Sequence, residues 1–106
     1  MNLYRLWRGF VAVQVDVRLL GGLREAAGSP EIELAVEEDS TLGDAVGVLV
    51  EGLPAIGDAL IDGVLGSYAP NALILVDGVE ASNLEGPMTP LKEGSVLVFI
   101  PVTHGG

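Results

Sequence analysis

From Val11 to Leu19 every odd position is apolar (Val11, Val13, Val15, Val17, Leu19), while Gln14, Asp16 and Arg18 take even ones. A period of two sustained this long is the pattern of a strand with one face in a core and the other in water. Gly21-Gly22 breaks the strand. Leu23 to Ala27 is then helix-prone up to Gly28 and Pro30, and Glu31 to Val36 alternates again with Ile32, Leu34 and Val36 on one face. The two strands are expected to pair antiparallel.

Thr41 with Asp44 three residues on matches a capping box. Leu42, Ala45, Val46, Leu49 and Val50 follow at the spacing of an amphipathic helix. Gly43 and Gly47 each cost that helix about 1 kcal/mol against alanine, so packing of its apolar stripe has to hold it. Gly52 and Pro54 end it, and a weaker helical pattern runs through Ile56, Ala59, Leu60 and Val64. Ala72 to Val76, then Asp77-Gly78 and Val79, reads as a hairpin with a tight primed turn.

The last element is Val96 to Val102. Its even residues Val96, Val98, Ile100 and Val102 are expected to face the core, leaving Leu97, Phe99 and Pro101 on the other side for a docking patch. A central strand covered on both faces gives the same pattern. One helix is available to cover one face of a mixed sheet of four or five strands, and it supplies the crossover that lets the last strand lie parallel to the first. This is an α+β plan like the β-grasp, or another small roll with the same elements. At 106 residues it is one domain, 10–102, after an extension at 1–9 that can fray and before a flexible tail at 103–106.

The chain carries fifteen acidic residues against four arginines and Lys92, a net charge of −10. A phosphate backbone would be repelled, so nucleic acid is a poor partner and a basic protein surface a better one. With no cysteine and one histidine, neither a thiolate nucleophile, a structural zinc site nor a triad can be assembled. No metal site and no catalytic residue of its own are expected. No signal peptide or apolar stretch of about twenty residues is present, which points to a cytoplasmic protein with no membrane contact.

What remains is the end, Thr103-His104-Gly105-Gly106. Glycine has no Cβ, so Gly105-Gly106 is a thin strip able to thread a narrow active site. Four extended residues reach about 13 Å past the last strand. A carboxylate is a poor electrophile, but an enzyme that transfers AMP to it from ATP opens it to sulfur or amine attack. Gly106 is then a substrate group, the acceptor of AMP and of sulfur or amine, at the end of a tail made of Thr103, His104 and Gly105. Lys92 is the one side-chain amine at which copies of the chain could be linked to each other, apart from the N-terminus.

These residues resemble the ubiquitin-like sulfur carriers, which include the small subunit of molybdopterin synthase (MoaD), the thiamine-pathway carrier (ThiS) and related protein modifiers. The resemblance spans Val11 to Gly106. It rests on VQVDVRLLGGLREAAG, STLGDAVGVL, ALILVDGVEA and TPLKEGSVLVFIPVTHGG. It implies a β-grasp fold and a non-catalytic carrier, with Gly106 activated by a ubiquitin-activating-like adenylating enzyme that uses ATP. It further implies a thiocarboxylate whose sulfur serves molybdopterin (molybdenum cofactor) synthesis, with the large synthase subunit or another sulfur acceptor as partner and Phe99 to Val102 as the partner-facing approach. The His-Gly-Gly ending is closer to the ubiquitin-related modifiers, which implies tRNA thiolation or protein conjugation instead. A third reading is a non-covalent β-grasp binding module that makes no use of its tail.

Overall fold

The computed structural model describes the backbone of residues 2–3 and the whole of residues 12–102. Val11 and the expected tail, Thr103, His104, Gly105 and Gly106, lie outside the described residues. The order of elements is β1 (Asn2–Leu3), β2 (Ala12–Leu19), α1 (Gly21–Ala27), β3 (Glu31–Glu37), α2 (Leu42–Gly52), α3 (Pro54–Leu60), β4 (Ala72–Val76), β5 (Val79–Glu80) and β6 (Val96–Pro101). Short 3₁₀ turns at Ala81–Asn83 and Gly86–Met88 link β5 towards β6.

The sheet is mixed, in the order β1-β3-β2-β6-β4-β5. β2 pairs antiparallel with β3, and β6 lies parallel to β2 and antiparallel to β4. Between β2 and β6 the chain passes through three helices and the β4–β5 hairpin, the long connection a parallel pair requires. This is the α+β β-grasp plan, five strands drawn from residues 12–101. Two residues of the N-terminal stretch, Asn2 and Leu3, add a further short strand along β3.

The helices cover one face. Val15, Val17 and Leu19 of β2, Ile32, Leu34 and Val36 of β3, and Ala72, Ile74 and Val76 of β4 meet Leu42, Ala45, Val46 and Leu49 of α2 and Ile56 and Leu60 of α3 in one buried cluster. The capping box is formed: the Thr41 N–H donates to Asp44 Oδ2 at 2.9 Å, and the Asp44 N–H donates to Thr41 Oγ1 at 3.3 Å. Glycine in α3 has a packing reason, because a Cβ on Gly57 would lie 2.7 Å from Val50 Cγ1 of α2. The hairpin turn is the primed one, with Asp77 and Gly78 both at positive φ. The helical pattern expected to run on to Val64 stops at Leu60; Ile61 turns extended, and Val64 stands in solvent. Among the described residues no helix is long and apolar enough to cross a membrane.

Candidate functional site

β6 is an inner strand of the sheet, held on both sides, and it hands the chain directly to the tail. Its face assignment is the reverse of the sequence expectation. Leu97 and Phe99 are fully buried, 0% exposed, under the helices, so neither can meet a partner. Val96, Val98 and Ile100 point the other way and are half-buried. The cause is register: Asp16 of β2 aligns with Val96 and Arg18 with Val98, so the even residues of β6 share the wet face of β2. Of the other residues expected to face a partner, Pro101 is half-buried and Val102 is 38% exposed.

The outward face of the sheet therefore carries its own apolar strip. Val98 aligns with Leu75 and Ile100 with Leu73 of β4, and Leu73 is exposed. Glu31, Glu33, Asp16 and Arg18 border the strip on β3 and β2. Arg18 Nε lies 3.9 Å from Glu31 Oε1, an exposed pair that contributes about 0–1 kcal/mol. Sequence reasoning missed Leu73, Leu75, Val96, Val98 and Ile100 as a surface, although the unbroken run of β4 shows that both its faces are apolar.

Two elements fix the root of the tail. On one side the Leu20 N–H donates to the Phe99 carbonyl at 3.2 Å, and Gly21 sits against Pro101. On the other, the Val102 N–H donates to the Asn71 carbonyl at 2.9 Å, and Asn71 Nδ2 donates to the Leu60 carbonyl at 3.1 Å. Asn71 thus ties the end of α3 to the last residue before the tail. Its own N–H donates to the carbonyl of Tyr68, whose phenol is pushed above its ordinary pKa by burial.

Gly21 is required twice over. Its φ is +52°, and an added Cβ would lie 3.0 Å from Pro101 Cγ. Gly21→Ala is expected to destabilise the fold by about 1–2 kcal/mol through the left-handed backbone alone. It should also displace Pro101, which an urea melt and the Val102 amide chemical shift would register together.

No histidine or cysteine lies within residues 12–102. Among the described residues no cluster of three or more His, Cys, Asp or Glu side chains could hold a metal ion. Among the described residues the site is a strand end and a surface.

A β-grasp sheet whose inner strand runs out into a Gly-Gly tail defines a small ubiquitin-like carrier or modifier, a class of typically non-catalytic proteins. A sequence model described as the ThiS family matches residues 17–106, and the chain belongs to that family. It is 28% identical over 94 residues to small archaeal modifier protein 3 of Haloferax volcanii, covering 89% of this chain and all of that one. The structure is similar to that of small archaeal modifier protein 1 from Methanosarcina acetivorans, with TM-score 0.77, 29% identity and 91% and 99% of the two chains covered. It is also similar to modifier protein 1 of Haloferax volcanii, with TM-score 0.77, 27% identity and coverage of 88% and 99%.

Proposed function

We propose that the chain presents the Gly106 carboxylate to an ATP-dependent adenylating enzyme and then serves as an acyl carrier. A carboxylate oxygen attacks the α-phosphorus of ATP, pyrophosphate leaves, and an acyl-adenylate forms. Hydrosulfide attack at the carbonyl carbon expels AMP and leaves a thiocarboxylate. Attack by a lysine amine, with loss of its proton, expels AMP and leaves an isopeptide bond. ATP is a substrate of the partner, and no resident cofactor is needed. ATP consumption is consistent with a cytoplasmic site of action.

The observation that carries this reading is the way the fold ends: an inner strand, tied to the β2 side as far as Phe99 and to the β4 side as far as Val102, runs into four residues finishing in Gly-Gly. The outward strip of Leu73, Leu75, Val96, Val98 and Ile100 is the docking face, and its acidic border suits a partner with a basic rim. Two uses of the activated end are supported by different observations. The relatives named as modifiers favour conjugation to proteins, and the His-Gly-Gly ending, in its resemblance to the ubiquitin-related modifiers, favours sulfur transfer to tRNA. LREAAG together with LKEGSVLVFIPV and the Gly-Gly end favours sulfur donation for molybdopterin synthesis through the large synthase subunit.

Intact mass after incubation with ATP, the adenylating enzyme and a sulfide donor tests the common step, which should exchange one oxygen for sulfur. An unchanged mass with an enzyme that is active on another carrier rejects it. Adding the large synthase subunit and pterin precursor, or a lysate with ATP, then separates dithiolene formation from conjugate ladders.

A further inference from the structure

Two large apolar residues stand side by side in solvent on a loop that is otherwise tightly built. Val64 is 94% exposed and Leu65 69%. Single exposed apolar residues need no explanation, but an adjacent pair held out by a fixed backbone does. Asp62 Oδ1 accepts the N–H groups of both Val64, at 2.9 Å, and Leu65, at 2.8 Å. The Gly66 N–H donates to the Asp62 carbonyl at 2.8 Å, and the Asp62 N–H donates to the Ser67 carbonyl at 2.9 Å. The loop from 62 to 67 is closed on itself with its two apolar side chains outward. It buries nothing with them, so they add nothing to the core.

Its base is fastened to the root of the tail. Asn71 holds the Leu60 carbonyl through its side chain and the Val102 N–H through its own carbonyl. Val64 follows Leu60 by four residues, so its Cα lies within about 14 Å of the Leu60 Cα even along an extended chain. The tail beyond Val102 has a similar reach, about 13 Å. A protein that holds Gly106 in a buried nucleotide cleft must therefore bring the mouth of that cleft against whatever surrounds Val102. The 62–67 loop starts two residues past Leu60, whose carbonyl Asn71 bonds while holding Val102, so it stands within reach of that mouth.

We infer that Val64 and Leu65 form a second recognition element for the adenylating enzyme, filling an apolar notch at the mouth of its nucleotide cleft while the tail enters. This rests on the proposed use of Gly106 as the activated group. The rigid loop lowers the ordering cost of the contact, and exposed Asp58 at the end of α3 suits a basic edge to the notch. Asn71 acts as a positioning residue, keeping loop and tail in one fixed relation.

The test is the rate of ATP–pyrophosphate exchange against carrier concentration for the full-length chain and for Val64→Ser with Leu65→Ser. Loss of a buried two-residue anchor should raise KM about tenfold or more and leave kcat unchanged. The Tm should not fall, because both side chains are already in water. Met88→Ser is the matched control, equally exposed at 69% but in the turn that leads to the opposite end of β6. A double variant with wild-type KM overturns the inference, as does one matched by the Met88 control. No exchange even with the unaltered chain would instead overturn the proposed use of Gly106, so the two failures are told apart.

Discussion

A chain lacking only Gly106 will fold as the full chain does and will accept neither AMP nor sulfur. Among the described residues the buried core extends no further along the chain than Phe99, so the fold loses none of that core with the final glycine. The chemistry loses its geometry. The new terminal carboxylate on Gly105 sits one residue back, roughly 3.3–3.6 Å short of the α-phosphorus when the carrier is docked. In-line attack needs the reacting atoms about 3–3.5 Å apart, and a misplacement of about 1 Å already costs on the order of a hundredfold. The exchange rate should fall by at least that factor, and intact mass should show no sulfur uptake. Gly105→Val should fail for another reason, since a β-branched side chain widens the strip and removes the backbone freedom that glycine supplies. Normal sulfur uptake by the shortened chain would show that the terminus is not the handle.

Most of the frame was legible because each element carries a period and a stop. The alternation of β2 and β3, the Thr41–Asp44 box at the head of α2 and the Asp77-Gly78 turn are local patterns, and the structure forms each of them. The parity of β6 was not legible. A run that is apolar at Val96, Leu97, Val98, Phe99 and Ile100 looks the same from either side, and period two says only that neighbours oppose each other. Register breaks the tie, through the parallel alignment of Asp16 with Val96 across eighty positions of sequence. A non-local pairing of that kind leaves no trace in a local window.

The root of the tail was hidden for a similar reason. Asn71 reads as an ordinary loop residue before a strand; its value lies in two hydrogen bonds, to Leu60 and to Val102, that join segments distant in sequence. Val64 sits where the sequence spacing predicts the end of a helical stripe. Ile61 departs from helical geometry first, and the Asp62 side chain then captures the amides of Val64 and Leu65. A short polar side chain that bonds nearby backbone offers the chain a turn in place of a further helical one. The apolar spacing survived without the helix that would have buried it.

The two faces of the sheet predict opposite behaviour for Phe99 of β6 and Leu73 of β4. Phe99→Ala removes a fully buried ring from the middle of the core, flanked by Leu19 of β2 and Ile74 of β4. Such truncations cost about 3–5 kcal/mol, a large share of the 5–15 kcal/mol that typically separates folded from unfolded chains. The urea midpoint should drop steeply, with loss of adenylation following from loss of fold. Leu73→Ser, on the outward face beside Ile100, removes a side chain that already touches water, so stability should change by less than about 1 kcal/mol. If the outward strip is the docking face, that variant should instead raise KM for the adenylating enzyme while its melt stays in place. Measured together, the pair separates packing from recognition: a Phe99 variant as stable as wild type would contradict the buried face. A Leu73 variant with unchanged KM would remove the outward face from the docking surface and leave the tail and its surrounding collar to carry recognition.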